Sequence, residues 1–214
     1  MKQIYFRHIL LLSCLLAGTT TAFADAVVID GISYNLVSKM KIAEVTSNPN
    51  KYKGAVNIPA TVTYNDVTYS VTSIGIYTFR ECTGLTSVTI PENVTSISLS
   101  AFRGCSSLTD VYCLAEDVPA TSDDAFLESS IESATLYVPA ASLEAYKTTQ
   151  PWSGFGTIVG LTEDEIDAVE DVQADGEKAE EARYDLQGHR ATVPHKGINI
   201  VRYSDGTTRK VLVK

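Results

Sequence analysis

Few side chains in this sequence are of the kinds that do chemistry, and their spacing limits what they could do together. The 214 residues hold three histidines and four cysteines, with one adjacent carboxylate pair at Asp123-Asp124. His8 lies in an apolar leader, whereas His189 and His195 lie near the C-terminus, and no nucleophile motif gives any of them a Ser or Cys partner. HExxH, GxSxG, P-loop and paired-cysteine zinc spacings do not occur. Asp123-Asp124 sits in the loop composition TSDD, and neighbours on a chain do not flank a substrate as a general acid and base must. The acidic run from Glu163 to Glu181 offers oxygens to calcium, yet its acids do not alternate ahead of a glycine as an EF-hand loop requires. The sequence therefore predicts no enzyme, no cofactor and no metal site. It predicts a protein that works through its surface.

The cysteines lead to the elements that carry that surface. VTSIGIYTFRECTGLTSV (71–88) is followed by VTSISLSAFRGCSSLTDV (94–111), with ten of eighteen positions identical at an offset of 94 − 71 = 23. A fixed period in this range marks a solenoid, in which each unit buries its apolar face against its neighbours. Cys82 and Cys105 hold one place in successive units, and Cys113 falls 23 residues after Ile90, at an inward position. All three read as buried thiols; a Cys82–Cys105 disulfide is the alternative, opposed by the parallel Cβ vectors of stacked coils.

Within a unit, Leu85-Thr-Ser-Val88-Thr-Ile90-Pro-Glu-Asn93 fits LxxLxLxxN, a short strand with alternate residues inward. In the next copy Glu116 replaces the asparagine. Val94 to Ile97 makes a second extended segment, and Phe102 with Cys105 fills a corner. The expected repeat core is Ile74, Phe79, Cys82, Leu85, Val88, Ile90, Ile97, Phe102, Cys105, Leu108, Val111 and Cys113. A third, degraded copy aligns Ala125-Phe126 with Ala101-Phe102 at an offset of 24 and puts Ile131, Ala134 and Leu136 in the places of Leu85, Val88 and Ile90. Ahead of the repeats, residues 25–70 read as a β cap: strands at Ile32–Leu36 and Ala55–Pro59, then a hairpin about Asn65-Asp66. Behind them, Ala141–Lys147 reads as a two-turn helix stopped by Pro151, with Trp152 and Phe155 covering the last coil; repeats and this cap together span 71–160.

IPATVTYNDVTYSVTSIG, the copies of VTSIxxxxFRxCxxLTxV and LYVPAASLEAYKTTQPWSGFGTIVG together resemble the BspA-like leucine-rich repeat proteins of the Bacteroidota over about residues 28–160. The resemblance implies a mainly β leucine-rich-repeat solenoid that is exported and often surface-displayed. It also implies adhesion, since some members bind host matrix proteins or other bacteria.

The ends carry an address. Lys2 and Arg7 lead into an apolar run too short to span a bilayer, and Ala22-Phe23-Ala24 fits a signal-peptidase site, so 1–24 reads as a signal peptide with no transmembrane segment after its removal. Cys14 lies early in that run, a weak match to a lipoprotein box. Loss of Lys2 and Arg7 takes the formal charge from −9 to −11, which argues against a nucleic-acid partner. Residues 161–182 hold ten acids against Lys178, net −10 + 1 = −9, and read as a solvated linker. The last segment, 183–214, is β-like: Ile198, Ile200, Val211 and Val213 alternate around a Ser204–Thr207 turn. YDLQGHR and KGINI resemble the C-terminal sorting modules of type IX secretion, with His189 inserted and Asn199 in place of an aromatic residue. That resemblance implies the secretion machinery as a partner; a small accessory β-domain is the alternative.

Outward strand positions are Thr86, Thr89, Thr109 and Tyr112, with Thr72 and Thr95 on the second extended segment. They form a hydroxyl-rich candidate ligand face for an extracellular protein or glycan. Four short strands make a sheet of roughly 300 Å², against ~800 Å² that each partner gives to a standard interface. Binding by one copy should be weak and useful only through many copies on a surface. A structural envelope component without a specific ligand is the other reading. Thr and Ser are also good exposed strand residues whatever the function.

Overall fold

A computed structural model describes residues 26–173, 180–185, 188–191, 193, 194, 196–203 and 208–213. The leader with Ala22, Ala24, Cys14 and His8, as well as His195 and the Ser204–Thr207 turn, lie outside the described residues.

The chain opens with a hairpin of β1 (Val27–Ile29) and β2 (Ile32–Val37), then runs through β3 (Ile42–Thr46) and β4 (Gly54–Asn57). The hairpin turns on Asp30-Gly31, whose φ values of 48° and 80° are those of a tight turn that twists with its strands. A second hairpin joins β5 (Thr61–Tyr64) to β6 (Val67–Ile74), and its turn residues Asn65 and Asp66 have φ of 49° and 60°. The repeats follow as β7 (Leu85–Ile90), β8 (Ser96–Ile97), β9 (Asp110–Cys113), β10 (Ala120–Thr121) and β11 (Thr135–Pro139). Next come the short helix α1 (Leu143–Thr148) and β12 (Thr157–Leu161).

These strands form two sheets. One runs β1-β2-β3-β6-β8-β10, with β5 on β6; the other runs β12-β11-β9-β7-β4. From β3 onward the chain visits the first sheet and then the second, and successive visits pair in parallel. Val56, Val88, Val111, Leu136 and Ile158 lie in register across the second sheet, and the first four are buried. The third copy departs from its expected alignment. Leu136 is level with Val111 and hence with Val88, and Ala134 precedes the strand. A 3-10 turn at Ile131–Ser133 takes up the extra residues between the corner and β11.

The twelve expected core residues are all buried. Rings at the corners stack from unit to unit, Phe79 on Phe102 at 4.8 Å between centroids and Phe102 on Phe126 at 5.1 Å, and Tyr52 packs on Phe79 at 4.7 Å with its plane tilted by 49°. Trp152 and Phe155 close the column edge-on against Phe126 at 5.4 and 5.3 Å. The backbone ties the same corners together, since Phe79 N–H donates to Ala101 O at 2.7 Å and Phe102 N–H to Ala125 O at 2.8 Å. Cys82, Cys105 and Cys113 are free and buried. The Cys105 thiol donates to Phe79 O at 3.1 Å, and burial pushes it up to about 12. Tyr146 donates to Ala115 O at 2.8 Å, so the Cys113 thiol 3.2 Å away is left as donor to the Tyr146 oxygen.

The acidic segment expected to be a solvated linker is instead helical over α2 (Glu163–Gln173). Thr162 and Glu165 form a capping box: Glu165 Oε2 accepts the Thr162 N–H at 2.9 Å, and Glu165 N–H reaches Thr162 Oγ1 at 3.4 Å. Three acids in the first turn suit the helix dipole. Ile166 and Val169, three apart on one face, pack on a buried cluster of Tyr112, Leu114 and Leu161, which offsets the self-repulsion of the acids. Beyond it, β13 (Glu180–Tyr184), β14 (Arg190–Ala191), β15 (Gly197–Tyr203) and β16 (Thr208–Val213) make an antiparallel sheet in the order β14-β13-β15-β16. Here the buried residues of β15 are Asn199 and Val201 rather than Ile198 and Ile200, so the opposite face of the strand is the covered one. α2 lies against β16, and Lys210 Nζ meets Asp164 Oδ1 at 2.8 Å.

Phe102 has a ring on both sides, so Phe102→Ala should cost about 3–5 kcal/mol, read as a lower urea midpoint at unchanged m-value; a loss under about 1 kcal/mol would contradict the stacked column.

Candidate ligand-binding face

The six residues of the expected ligand face do not form one face. Thr86 and Thr109 lie at the start of neighbouring strands of the second sheet; Thr72 and Thr95 belong to the turns and strands of the first. Thr86, Thr95 and Thr109 are exposed and Thr72 is half-buried. Thr89 and Tyr112 correct the expectation, because they point outward from the sheet and are nonetheless only 3% and 5% exposed. They belong to an outward row of Asn57, Thr89, Tyr112 and Tyr137, all in register. The Thr89 hydroxyl donates to Asn57 Oδ1 at 3.1 Å, while Tyr112 and Tyr137 stack at 4.4 Å with ring planes 9° apart. Ile166 and Val169 of α2 cover those rings.

Two of the exposed threonines, Thr95 and Thr109, spend their hydroxyl protons within the fold, and Thr109 Oγ1 also has Asp110 Oδ2 as an acceptor at 2.8 Å. Thr109 donates from both N–H (2.9 Å) and Oγ1 (3.0 Å) to Thr86 O, one unit earlier. Thr95 repeats this against Thr72 O at 2.9 and 3.4 Å. Both pairs are rungs between repeats, so at Thr95 and Thr109 a ligand would meet hydroxyl lone pairs rather than free donors.

Where α2 crosses the ends of β7 and β9 it leaves a cleft of about 560 Å³, with Val94, Leu114, Pro139 and Ile166 as apolar lining. Glu92, Glu116, Asp117, Glu163 and Asp167 rim it, and among the described residues no cation lines it. Among the described residues, no group of three or more His, Cys, Asp or Glu side chains is placed to hold a metal. The cleft is an acidic surface feature.

The corners carry the remaining charge. Arg103 pairs with Glu128 (Nη2 to Oε1, 2.6 Å), which holds the Glu128 carboxyl below its usual range. Arg80 lies over the Tyr77 ring at 5.1 Å and beside Glu81 at 3.5 Å, so neither arginine is a bare basic step. Ile76 and Leu99 are exposed at the same level of the corner in successive units. The Asp123-Asp124 pair divides its duties. Asp124 accepts from Ser100 N–H at 3.1 Å, Ser100 Oγ at 2.5 Å and Ser122 Oγ at 2.7 Å, joining two repeats, while Asp123 stays exposed.

Residues 57–147 match the BspA type Leucine rich repeat region, in six copies. No relative among the curated proteins matches the chain. Among solved structures, a leucine-rich repeat protein from Bacteroides capillosus is similar at 26% identity and a TM-score of 0.49, over 64% of this chain and 99% of that one. One from Bacteroides ovatus is similar at 24% identity and a TM-score of 0.41, over 63% of this chain and 41% of that one. A leucine rich cell surface protein from Faecalibacterium prausnitzii is similar at 25% identity and a TM-score of 0.37, over 58% of this chain and 29% of that one. The chain thus spans about two-fifths of the Bacteroides ovatus protein's length. Among the described residues, no helix is long and apolar enough to cross a membrane.

The hydrogen bonds from Ser100 and Ser122 hold the Asp124 carboxyl below its unfolded value of 3.8. A depressed carboxyl stabilises the fold above its unfolded pKa, and that contribution is lost as pH falls through the folded one. Asp124→Asn should therefore flatten the acid limb of a stability–pH curve below about pH 4, measured by urea midpoints; an unchanged limb would refute this role.

Proposed function

We propose that this protein is an exported, cell-surface leucine-rich repeat module that binds extracellular proteins or glycans and has no enzymatic activity of its own. The observation that carries this reading is the match of residues 57–147 to the BspA type repeat region. It is supported by the cell-surface description of the similar Faecalibacterium prausnitzii protein. In this reading 1–24 is the signal peptide, 25–70 caps a short solenoid, 71–160 is the solenoid with its C-terminal cap, and 183–214 addresses the chain to the secretion machinery. Thr86 and Thr109 on the second sheet, and Thr72 and Thr95 on the first, are in this reading candidate contacts on two separate surfaces. Thr89 and Tyr112 are reserved for packing, so substitutions there act on stability first.

A second reading, a structural envelope component, is favoured by one observation: the hydroxyl protons of Thr95 and Thr109 already serve the inter-repeat ladder. The two separate at the producing cell. Intact mass of the protein recovered from the outer surface should correspond to a chain beginning at Asp25. A species confined to the periplasm and ending at Lys214 would sink the surface-binding reading and leave the structural one.

A further inference from the structure

The two sheets end unevenly. On the first, β2 and β1 continue past β3 by two strands; on the second, β4 is the last strand, and among the described residues no strand pairs with its far edge. Two strands at ~4.8 Å each overhang that edge by about 10 Å. Beneath the overhang lies a groove of about 470 Å³ lined by Ile29, Ile32 and Tyr34 on one wall and Ala55, Val56 and Asn57 on the other.

Along β4, the Gly54 N–H donates to Gly84 O at 2.8 Å, toward the β7 side, and the N–H of Ile58, just past the strand, to Thr89 O at 3.1 Å. Alternate residues of a strand aim their peptide groups to opposite sides. Those of Ala55 and Asn57 therefore face the groove, where both residues are exposed. An unpaired edge of this kind is a template for one more strand.

Charge selects among occupants. Lys51 and Lys53 line the groove against Asp30, a net of +2 − 1 = +1 on a chain whose formal charge is −9. The Lys51 ammonium donates to Arg80 O at 2.6 Å and the Lys53 stem lies over Gly84, so both heads must swing from the repeat side to meet a ligand's carboxylates. The overhang leaves width for a single extended chain and blocks the edge of a folded sheet. Two copies meeting groove to groove would also bring four lysines together.

We propose that this groove captures an extended peptide segment bearing carboxylates, which adds as a strand along β4 and sets its acidic side chains against Lys51 and Lys53. The inference is independent of where the protein resides, so surface display can fail without affecting it, and the reverse.

The test titrates the full-length, 15N-labelled chain with the blocked peptide Thr-Val-Glu-Val-Asp-Val-Thr, using the same peptide with Lys at both acidic positions as the comparison. The acidic peptide should shift the amides of Ala55 and Asn57 in a saturable way, and the basic one should not. Lys51→Glu with Lys53→Glu should weaken binding at least about tenfold, as expected when a paired charge is reversed, and leave the melting temperature within a few degrees. Equal response to both peptides, or shifts confined to other residues, would overturn the proposal. So would amide shifts at Ala55 and Asn57 that follow protein concentration without peptide, which would assign the groove to a second copy.

Discussion

Everything in this molecule depends on the registration of one repeat on the next at its corner. Phe79, Phe102 and Phe126 lie ring on ring, with interplanar angles of 7° and 8°, and the backbone amide of each upstream ring residue reaches the unit after it. Ring stacking is tolerant of sliding and hydrogen bonding is not, so the two together fix both the spacing and the register. The parallel sheets follow from that. Once Phe79 sits on Phe102, Val88 must fall on Val111 and Ile74 on Ile97, which is the pairing observed.

A stack of this kind has two open ends, and the chain treats them differently. At the far end Trp152 and Phe155 cover Phe126 edge-on, and Trp152 Nε1–H finds Thr121 Oγ1 at 3.1 Å so that no indole donor is stranded. At the near end Tyr52 terminates the ring column, its hydroxyl accepting from Ser33 N–H at 3.0 Å and donating to Thr46 O at 2.8 Å. The second sheet stops there while the first runs on. One end is therefore sealed by aromatic packing and the other keeps an unpaired strand edge under a hairpin roof.

The repeat frame was legible in the sequence because identical residues at a 23-residue offset leave little choice of register. Phe79 and Phe102 and the three thiols could be placed that way, and the Asn65-Asp66 turn by its local hairpin signal. Tyr52 could not, since it joins the column 27 residues ahead of Phe79, outside the period. The first hairpin turns on Asp30-Gly31, an Asp-Gly signal that the sequence reading of residues 25–70 does not use. The acidic segment was misread for a physical reason: ten acids suggest solvation, whereas Thr162 with Glu165 and the Ile166/Val169 spacing carry a capped amphipathic helix. That helix is what removes Tyr112 from the expected ligand face, and no strand-level pattern around Tyr112 announces it.

The most direct test of this account is a nuclear Overhauser experiment on protein with labelled phenylalanine rings. The stacked corners predict cross-peaks between the rings of Phe79 and Phe102 and between those of Phe102 and Phe126, with none between Phe79 and Phe126. Absence of the first two, or a direct Phe79–Phe126 contact, would contradict the repeat register on which the sheets, the caps and the open edge of β4 all rest.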